Sequence, residues 1–469
     1  MYNSKLYELF ISLNDGEKRA LKKWVRSPLA NQKEEIILLF DFLLSRKAYS
    51  PTTLSRYKVW VAIFPDTPFD YTNFRLLCSQ SLKVLESMLI YLHTQQQNST
   101  TQQIILSEIY LRKQLKQYAS NSLEKAKELF TNEPLQNGAT FLNKYQLEVN
   151  NFRLLGTETR DQGTNLQEIM QHLHDFYLVE FLKHACSVIS HQNVSKQTYQ
   201  IPRFEETIEF LKTSHEHLKP SIQVYYYALM SLMQTKDEGY FTQLLSGLRQ
   251  HHTFFNTLEL KDLYLIAVNF CIKSVNSGKE VYVQTLFDLY QTSLSNGYFL
   301  EQNELSRYTF RNIISCALQL KAFDWIEIFI QEFSPLLDKK YRENQVNFNL
   351  ARLYFAKGAF DQTTPILLQE DFGDQLLNLA ARTMLSKIYF EKQEWELLDA
   401  TLNNFTVYLN RQKQLGYHEQ NYKNFIHFTK RLAKFNQDKD NPMGLFQEIK
   451  QSNPLTERKW LLEVLNIYM

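Results

Sequence analysis

The chain has 469 residues, enough for several domain-sized units or for one long repeat array. Its 12 glycines and 11 prolines are few, about 5% of the chain against roughly 12% in average proteins, which disfavours a sandwich or barrel of many short strands and favours helices. The 52 basic and 50 acidic residues leave a formal charge of +2, so an electrostatic partner must be recognised by a local patch rather than by the field of the whole molecule.

Residues 1–93 predict an N-terminal helical bundle. Apolar residues recur there at helical spacing, as in Leu6, Leu9, Phe10, Leu13, Leu21, Trp24 and Val25. The last segment of this region, residues 69–93, is long and amphipathic, which is typical of a helix that packs along a bundle.

A helical corner is predicted at residues 13–31. Asn14 followed by Glu17 has the pattern of a helix capping box. Pro28 disfavours helix at Ser27, so the first helix should end there. Asn31 with Glu34 repeats the capping pattern and predicts the start of the next helix.

The same corner carries a basic helix face. Its members recur at i, i+3, i+4 and i+7, opposite the apolar Leu21, Trp24 and Val25; they are Arg19, Lys22, Lys23 and Arg26. Such a face can bind phosphates or acidic peptides, although most basic helix faces are simply solvated.

The middle of the chain divides into a polar stretch and a helical region. Residues 94–103 contain no apolar side chain, so they predict a polar linker, either a loop or a polar helix extension. Residues 104–203 then predict a helical connecting region of amphipathic segments separated by polar loops.

Residues 204–469 predict degenerate helix–turn–helix repeats. The segments 312–333, 348–369 and 384–405 each read as a helix, a short turn and a second helix that opens on an aromatic residue. Those aromatic residues, Phe323, Phe360 and Trp395, are 37 and 35 residues apart. A period in the mid-thirties is typical of an α-solenoid, in which each hairpin buries its apolar face against its neighbours. The predicted fold class is therefore all-α, an N-terminal bundle followed by a solenoid.

The middle segment resembles a tetratricopeptide repeat. Ala351 and Tyr354 lie three apart on its first helix, Gly358 lies in its turn and Phe360 opens its second helix. Thr363 stands where that family usually has a small alanine. The resemblance covers about half of the chain, and it implies a groove that receives an extended peptide or a helix of a partner protein.

A second resemblance concerns the N-terminal corner. Residues 17–31, EKRALKKWVRSPLAN, resemble the N-terminal signature of a group of bacterial helical-repeat proteins, with a glutamate, basic and aromatic positions, Ser-Pro and a later Asn. Leu21 and Ala30 depart from it, because aromatic residues are usual there. Residues 69–89 resemble that group's second block, around Arg75 and Ser79. This resemblance implies architecture and carries no activity.

No catalytic, cofactor or metal site is predicted. The chain lacks the glycine-rich patterns of dinucleotide and P-loop sites, the G-x-S-x-G pattern of hydrolases and the paired histidines of zincins. Eight of the 11 histidines fall between residues 172 and 252, but only His184 and His191 share a helix face. The four cysteines are far apart and predict reduced core residues.

Two further sets of residues are predicted to bind a partner. In the groove implied by the repeats, the polar residues of the first helices are Asn347, Asn349, Arg352 and Lys387. A second basic face follows near the end of the chain and comprises Lys423, Lys430, Arg431 and Lys434.

The favoured function is a cytoplasmic, non-enzymatic adaptor that binds a protein partner, with no membrane insertion because the apolar runs are too short and carry polar residues. The N-terminus also lacks a signal-peptide pattern. Recognition of RNA or DNA by the basic faces is the alternative. An enzyme whose residues converge only in three dimensions stays open, as do the partner's identity and the oligomeric state.

Overall fold

The structure is a computed structural model that describes residues 1–46, 48–96, 99–156, 164–195, 197–369, 371–412, 415–435 and 441–467. The chain forms two compact units, one of Met1–Pro134 with Ala139–His174 and one of Leu135–Gly138 with Asp175–Met469. Helices make up nearly all of the regular structure among the described residues, so the predicted all-α class is confirmed.

The first unit contains two hydrophobic clusters. Its helices are α1 (Lys5–Ile11), α2 (Asp15–Trp24), α3 (Glu34–Leu44), α4 (Arg56–Ile63), α5 (Tyr71–Gln96), α6 (Ser99–Arg112), α7 (Lys116–Thr131) and α8 (Gly138–Leu155). Helices α1 to α5 share one core, in which Phe10, Phe40 and Met88 are completely buried. Helices α6, α7 and α8 pack on a smaller cluster around Leu123 and Leu147. Apolar burial of this kind is the main favourable term in folding.

The first half of the corner at residues 13–31 forms as predicted. The capping box is confirmed, because the Asn14 amide oxygen accepts from the Glu17 N–H at 2.9 Å and the Glu17 carboxylate accepts from the Asn14 N–H at 2.8 Å. Trp24 anchors α2 on α5, where its Nε1 donates to Ser87 Oγ at 3.2 Å.

The second predicted cap at this corner is wrong. Helix α3 begins after Lys33, and no side chain caps it. Asn31 instead holds the turn itself, since its amide donates to the Val25 carbonyl at 3.0 Å and accepts from the Lys33 N–H at 3.0 Å. A short polar side chain that bonds its own loop in this way competes with helix capping.

The polar stretch at residues 94–103 is helical wherever it is described. Helix α5 extends to Gln96 and α6 begins at Ser99. Gln97 and Asn98 lie outside the described residues. The stretch therefore lengthens two helices at its described positions.

The second unit is built of helices joined by short turns. Its helices are α9 (Leu166–Val194), α10 (Phe204–Ser214), α11 (Pro220–Met233), α12 (Glu238–His251), α13 (Thr257–Asn276), α14 (Tyr282–Ser295), α15 (Arg307–Gln319), α16 (Phe323–Phe333), α17 (Lys339–Ala356), α18 (Phe360–Gln369), α19 (Gln375–Glu391), α20 (Trp395–Arg411), α21 (Tyr417–Ala433), α22 (Pro442–Gln451) and α23 (Arg458–Asn466). The first residues of α9 belong to the first unit. One small antiparallel hairpin, β1 (Leu300–Glu301) with β2 (Glu304–Leu305), joins α14 to α15.

Successive helices of this unit pair as antiparallel hairpins. Helices α15 with α16, α17 with α18, and α19 with α20 each pack together, and the first helices α15, α17 and α19 also contact one another in sequence. The three predicted helix–turn–helix segments are confirmed. Phe323, Phe360 and Trp395 are the first residues of α16, α18 and α20.

The three hairpin turns share one backbone geometry. Lys321, Gly358 and Gln393 each adopt a left-handed φ, of 54°, 73° and 59°. After each, the next N–H returns to a carbonyl five residues earlier, as from Ala359 to Tyr354 at 2.9 Å and from Glu394 to Tyr389 at 2.9 Å. This is the Schellman ending of a helix, which satisfies carbonyls that the last turn leaves unpaired.

Ion pairs join neighbouring hairpins at the same turns. Lys357 pairs with Glu327 of α16 at 2.5 Å, and Lys392 pairs with Asp361 of α18 at 2.7 Å. The two lysines are 35 residues apart, as are Phe360 and Trp395. Lys392 lowers the pKa of the Asp361 carboxyl through this hydrogen bond. Because these pairs are exposed, they align the hairpins more than they stabilise them.

No helix in the described part of the chain combines the length and the apolarity that a membrane crossing requires. Cys186, Cys271 and Cys316 are buried and Cys78 is partly buried, each as a free thiol. Burial raises the pKa of the Cys271 and Cys316 thiols to about 12, so these thiols stay protonated and behave as core residues.

Candidate functional site: an arginine face on α15 and α17

The predicted groove residue Arg352 is held between two neighbouring first helices. It lies on α17, and its guanidinium donates to Asn349 Oδ1 at 3.1 Å and to Ser315 Oγ of α15 at 2.9 Å. Ser315 in turn donates to the Arg311 carbonyl at 2.8 Å. A polar network with fixed partners on two helices orients the guanidinium in one direction.

Among the described residues, no carboxylate pairs with the Arg352 guanidinium. Its side chain is mostly buried, and both of its hydrogen bonds within the described part of the chain go to neutral oxygens. Burial first, and then the neighbouring Arg311, lower the pKa of Arg352 from 12.5 to about 10. Because this folded-state pKa lies below the ordinary one, the native state bears the cost of the charge throughout the physiological pH range.

Two more arginines and Tyr308 on α15, together with Tyr341 on α17, extend this surface. The Arg307 guanidinium lies 4.9 Å from the Tyr308 ring centre and 4.1 Å from the Tyr341 ring centre, and it donates to Tyr308 Oη at 2.9 Å. Arg311 lies 5.6 Å from the Tyr308 ring centre. We call Arg307, Arg311 and Arg352, with Tyr308 and Tyr341, the arginine face. Aromatic stacking fixes the cations without neutralising them.

A groove of about 940 Å³ adjoins the arginine face. It lies between α13, the β1–β2 hairpin, α15 and the start of α17, and Arg307 and Tyr341 form part of its wall. The rest of the lining is mixed, with apolar residues such as Leu258, which is 73% exposed, and charged residues. The charged ones are Lys261, Glu301, Glu304 and Asp338. Its volume falls in the range of sites that receive side chains or small ligands. The surface therefore offers apolar contacts, among charged side chains, beside the three arginines.

The other three predicted groove residues have different surroundings. Asn349 is completely buried, donates to the Gln345 carbonyl at 2.7 Å and serves to orient Arg352. Asn347 is half-buried on the same helix. Lys387 of α19 pairs with Glu457 at 2.9 Å, so its charge is engaged within the fold. A role in partner binding stays a prediction for each of them.

The basic face of α2 is exposed in the first unit. Arg19, Lys22, Lys23 and Arg26 all point to solvent, while Leu21 opposite them is completely buried. Arg26 pairs with Asp41 of α3 at 2.6 Å. The helix thus has the predicted two faces, and whether the basic one binds anything stays a prediction.

The second predicted basic face lies on α21 and borders a cleft. Lys423 pairs with Glu419 on the same helix at 2.6 Å. Lys430 donates to Asn403 at 2.6 Å, and Arg431 pairs with Glu448 of α22. These two residues and Lys434 line a cleft between α21 and α22.

The described residues contain no group of three His, Cys, Asp or Glu side chains placed to hold a metal ion. Several of the clustered histidines have partners within the fold, among them His184 and His191. His184 lies 3.2 Å from a Glu180 carboxylate oxygen, and His191 lies 3.0 Å from Tyr199 Oη.

Sequence reasoning found Arg352 but missed the rest of the arginine face. Two signals pointed to it. Arg307, Arg311 and Ser315 recur at i, i+4 and i+8 on one helix face. Ser315 and Arg352 are 37 residues apart, the same spacing as Phe323 and Phe360, so they occupy equivalent repeat positions.

No protein-family model, curated protein or solved structure matches this chain.

Proposed function

We propose that the second unit is a tetratricopeptide-like α-solenoid that serves as a non-enzymatic adaptor, and that its arginine face binds an acidic segment of a partner protein. The observation that carries this proposal is the partly buried guanidinium of Arg352, which has Arg311 beside it and, within the described residues, donates hydrogen bonds to neutral oxygens alone. A buried cation without a counter-charge is costly, and an incoming carboxylate would relieve that cost.

A protein segment fits this surface better than a bare anion would. The cations lie beside a large groove whose mixed lining includes the apolar Leu258, Leu265 and Leu337. A segment that alternates acidic and apolar residues can pair its carboxylates with the arginines and place its apolar side chains against these leucines. The fixed, planar guanidinium of arginine also favours carboxylate recognition.

The test is a fluorescence-anisotropy titration against an array of 15-residue peptides that alternate acidic and apolar residues. We expect saturable binding of a subset. Replacing Glu by Gln and Asp by Asn in those peptides should weaken the binding about tenfold or more, since charge-assisted hydrogen bonds are lost.

The protein variants Arg352→Gln and Arg311→Gln should each weaken binding of the acidic peptides by about tenfold. Arg382→Gln is the matched control, because Arg382 lies on the next first helix with its guanidinium stacked 4.4 Å from the Tyr408 ring centre. This control should change the affinity less than twofold. Equal binding of the neutral peptides, or an equal loss in Arg382→Gln, would overturn the proposal.

A further inference from the structure

A cleft lined by cationic side chains lies between α21 and α22. It measures about 480 Å³, and the cationic side chains on its α21 wall are Lys430, Arg431 and Lys434, with His427 one turn earlier. Phe435 and the buried Leu445 supply apolar wall, and Asn441 with Gly444 forms the rim at the start of α22.

The cleft charge is only partly neutralised by the fold. Among the described residues that line it, Glu448 is the one carboxylate, and it pairs with Arg431. This hydrogen bond lowers the pKa of the Glu448 carboxyl, which therefore stays ionised. Three permanent cations against one carboxylate leave a net charge of +2 on the lining.

The two remaining lysines have no carboxylate partner in the described ranges. Lys430 donates to the neutral amide oxygen of Asn403 at 2.6 Å. Lys434 is exposed and closes the α21 row of cations. Lys434 follows Arg431 by three positions and Lys430 by four, and like charges at these spacings on a helix repel each other. A bound anion would reduce that repulsion.

We propose that this cleft binds the phosphate group of a small phosphorylated molecule. A phosphate monoester carries close to two negative charges at neutral pH, which matches the net charge of the lining. The volume suits a small organic ligand, and Phe435 with Leu445 can contact its carbon skeleton. A nucleic acid backbone would instead need a cationic track longer than the single row on α21.

The experiment is isothermal titration calorimetry of the full chain with ribose 5-phosphate, inorganic phosphate and unphosphorylated ribose. We expect one saturable site for both phosphate-bearing probes, with a dissociation constant of about 1 mM or below, and no binding of ribose. Absence of saturation up to about 10 mM phosphate probe, or equal binding of ribose, would overturn the proposal.

Two variants on one helix distinguish binding in the cleft from nonspecific electrostatic attraction to the protein. Lys434→Gln should weaken ribose 5-phosphate binding at least about fivefold. Lys423→Gln, on the same helix but paired with Glu419 and outside the cleft, should change it less than twofold. Equal losses in both variants would overturn the proposal.

Two further probes test the competing sources of phosphate. A single-stranded 12-nucleotide RNA and vesicles of phosphatidylglycerol present the same group on a polymer and on a surface. We expect neither to bind in a manner that Lys434→Gln weakens more than Lys423→Gln does. Binding of either probe with that pattern, together with no binding of ribose 5-phosphate, would assign the cleft to a macromolecule and overturn the proposal.

Discussion

The charge of Arg352 lowers the stability of the fold, and it is the same charge that we propose to bind a ligand. The Arg352 guanidinium is partly buried against the neutral oxygens of Asn349 and Ser315, and desolvation lowers its pKa to about 10. In a fold that had only to be stable, an apolar side chain of similar length would serve as well or better, because unpaired buried charges cost more than their hydrogen bonds return. A charge that costs stability in this way agrees with the role in ligand binding that we propose for Arg352.

The first prediction follows from this opposition. Arg352→Met is expected to leave the free energy of unfolding unchanged, or to raise it by about 1 kcal/mol, because it removes a desolvated charge and keeps the apolar stem. Urea denaturation measures the change. Phe348→Ala on the same helix is the control, and its buried ring predicts a loss of about 3 kcal/mol. A loss above about 2 kcal/mol in Arg352→Met would show that the guanidinium stabilises the fold.

At the scale of elements, one turn geometry recurs in three hairpins, α15 with α16, α17 with α18 and α19 with α20. Lys321, Gly358 and Gln393 take the same left-handed conformation and the same Schellman hydrogen bonds. Only Gly358 takes this conformation without strain, because a β-carbon costs roughly 1 kcal/mol there. Lys321 and Gln393 take the same conformation at that cost.

The second prediction uses this repeated turn. Gln393→Gly is expected to raise the free energy of unfolding by about 0.5 kcal/mol, since the relief of strain exceeds the added freedom of the unfolded chain. Gly358→Ala should lower it by about 1 kcal/mol, and the reason is conformational, because an added β-carbon meets no atom within 4 Å. Thermal and urea unfolding measure the change in the free energy of unfolding for both variants. A stabilising Gly358→Ala or a destabilising Gln393→Gly would contradict the shared turn geometry.

The sequence was sufficient to predict where the helices lie, but it did not predict the backbone conformation of the turns. Phe323, Phe360 and Trp395 identified the second helices because an apolar first residue must pack on its own hairpin. Lys321 and Gln393 gave no turn signal, since sequence patterns associate that conformation with glycine or asparagine. The Asn31 cap failed for a related reason, because its side chain bonds its own loop.

For the whole molecule, local patterns predicted the all-α class, and contacts between distant residues determined the candidate site. The small number of glycines and prolines, together with apolar residues at helical spacing, is enough to predict the all-α class. The arginine face requires that α15 and α17 lie side by side, so that Ser315 meets Arg352 and Tyr341 meets Arg307. Only the repeat period hints at that adjacency. The ion pair of Lys387 with Glu457 spans 70 residues and has no local signal.

The measurement that tests the central claim most directly is a double-mutant cycle. It combines Arg352→Gln in the full chain with a single Glu→Gln change in the tightest-binding acidic peptide, and anisotropy gives the four affinities. A direct contact between guanidinium and carboxylate predicts a coupling of about 1 to 2 kcal/mol for the glutamate that meets Arg352. Couplings within about 0.3 kcal/mol of zero for every acidic position of the peptide would contradict the proposal that the arginine face binds an acidic partner segment.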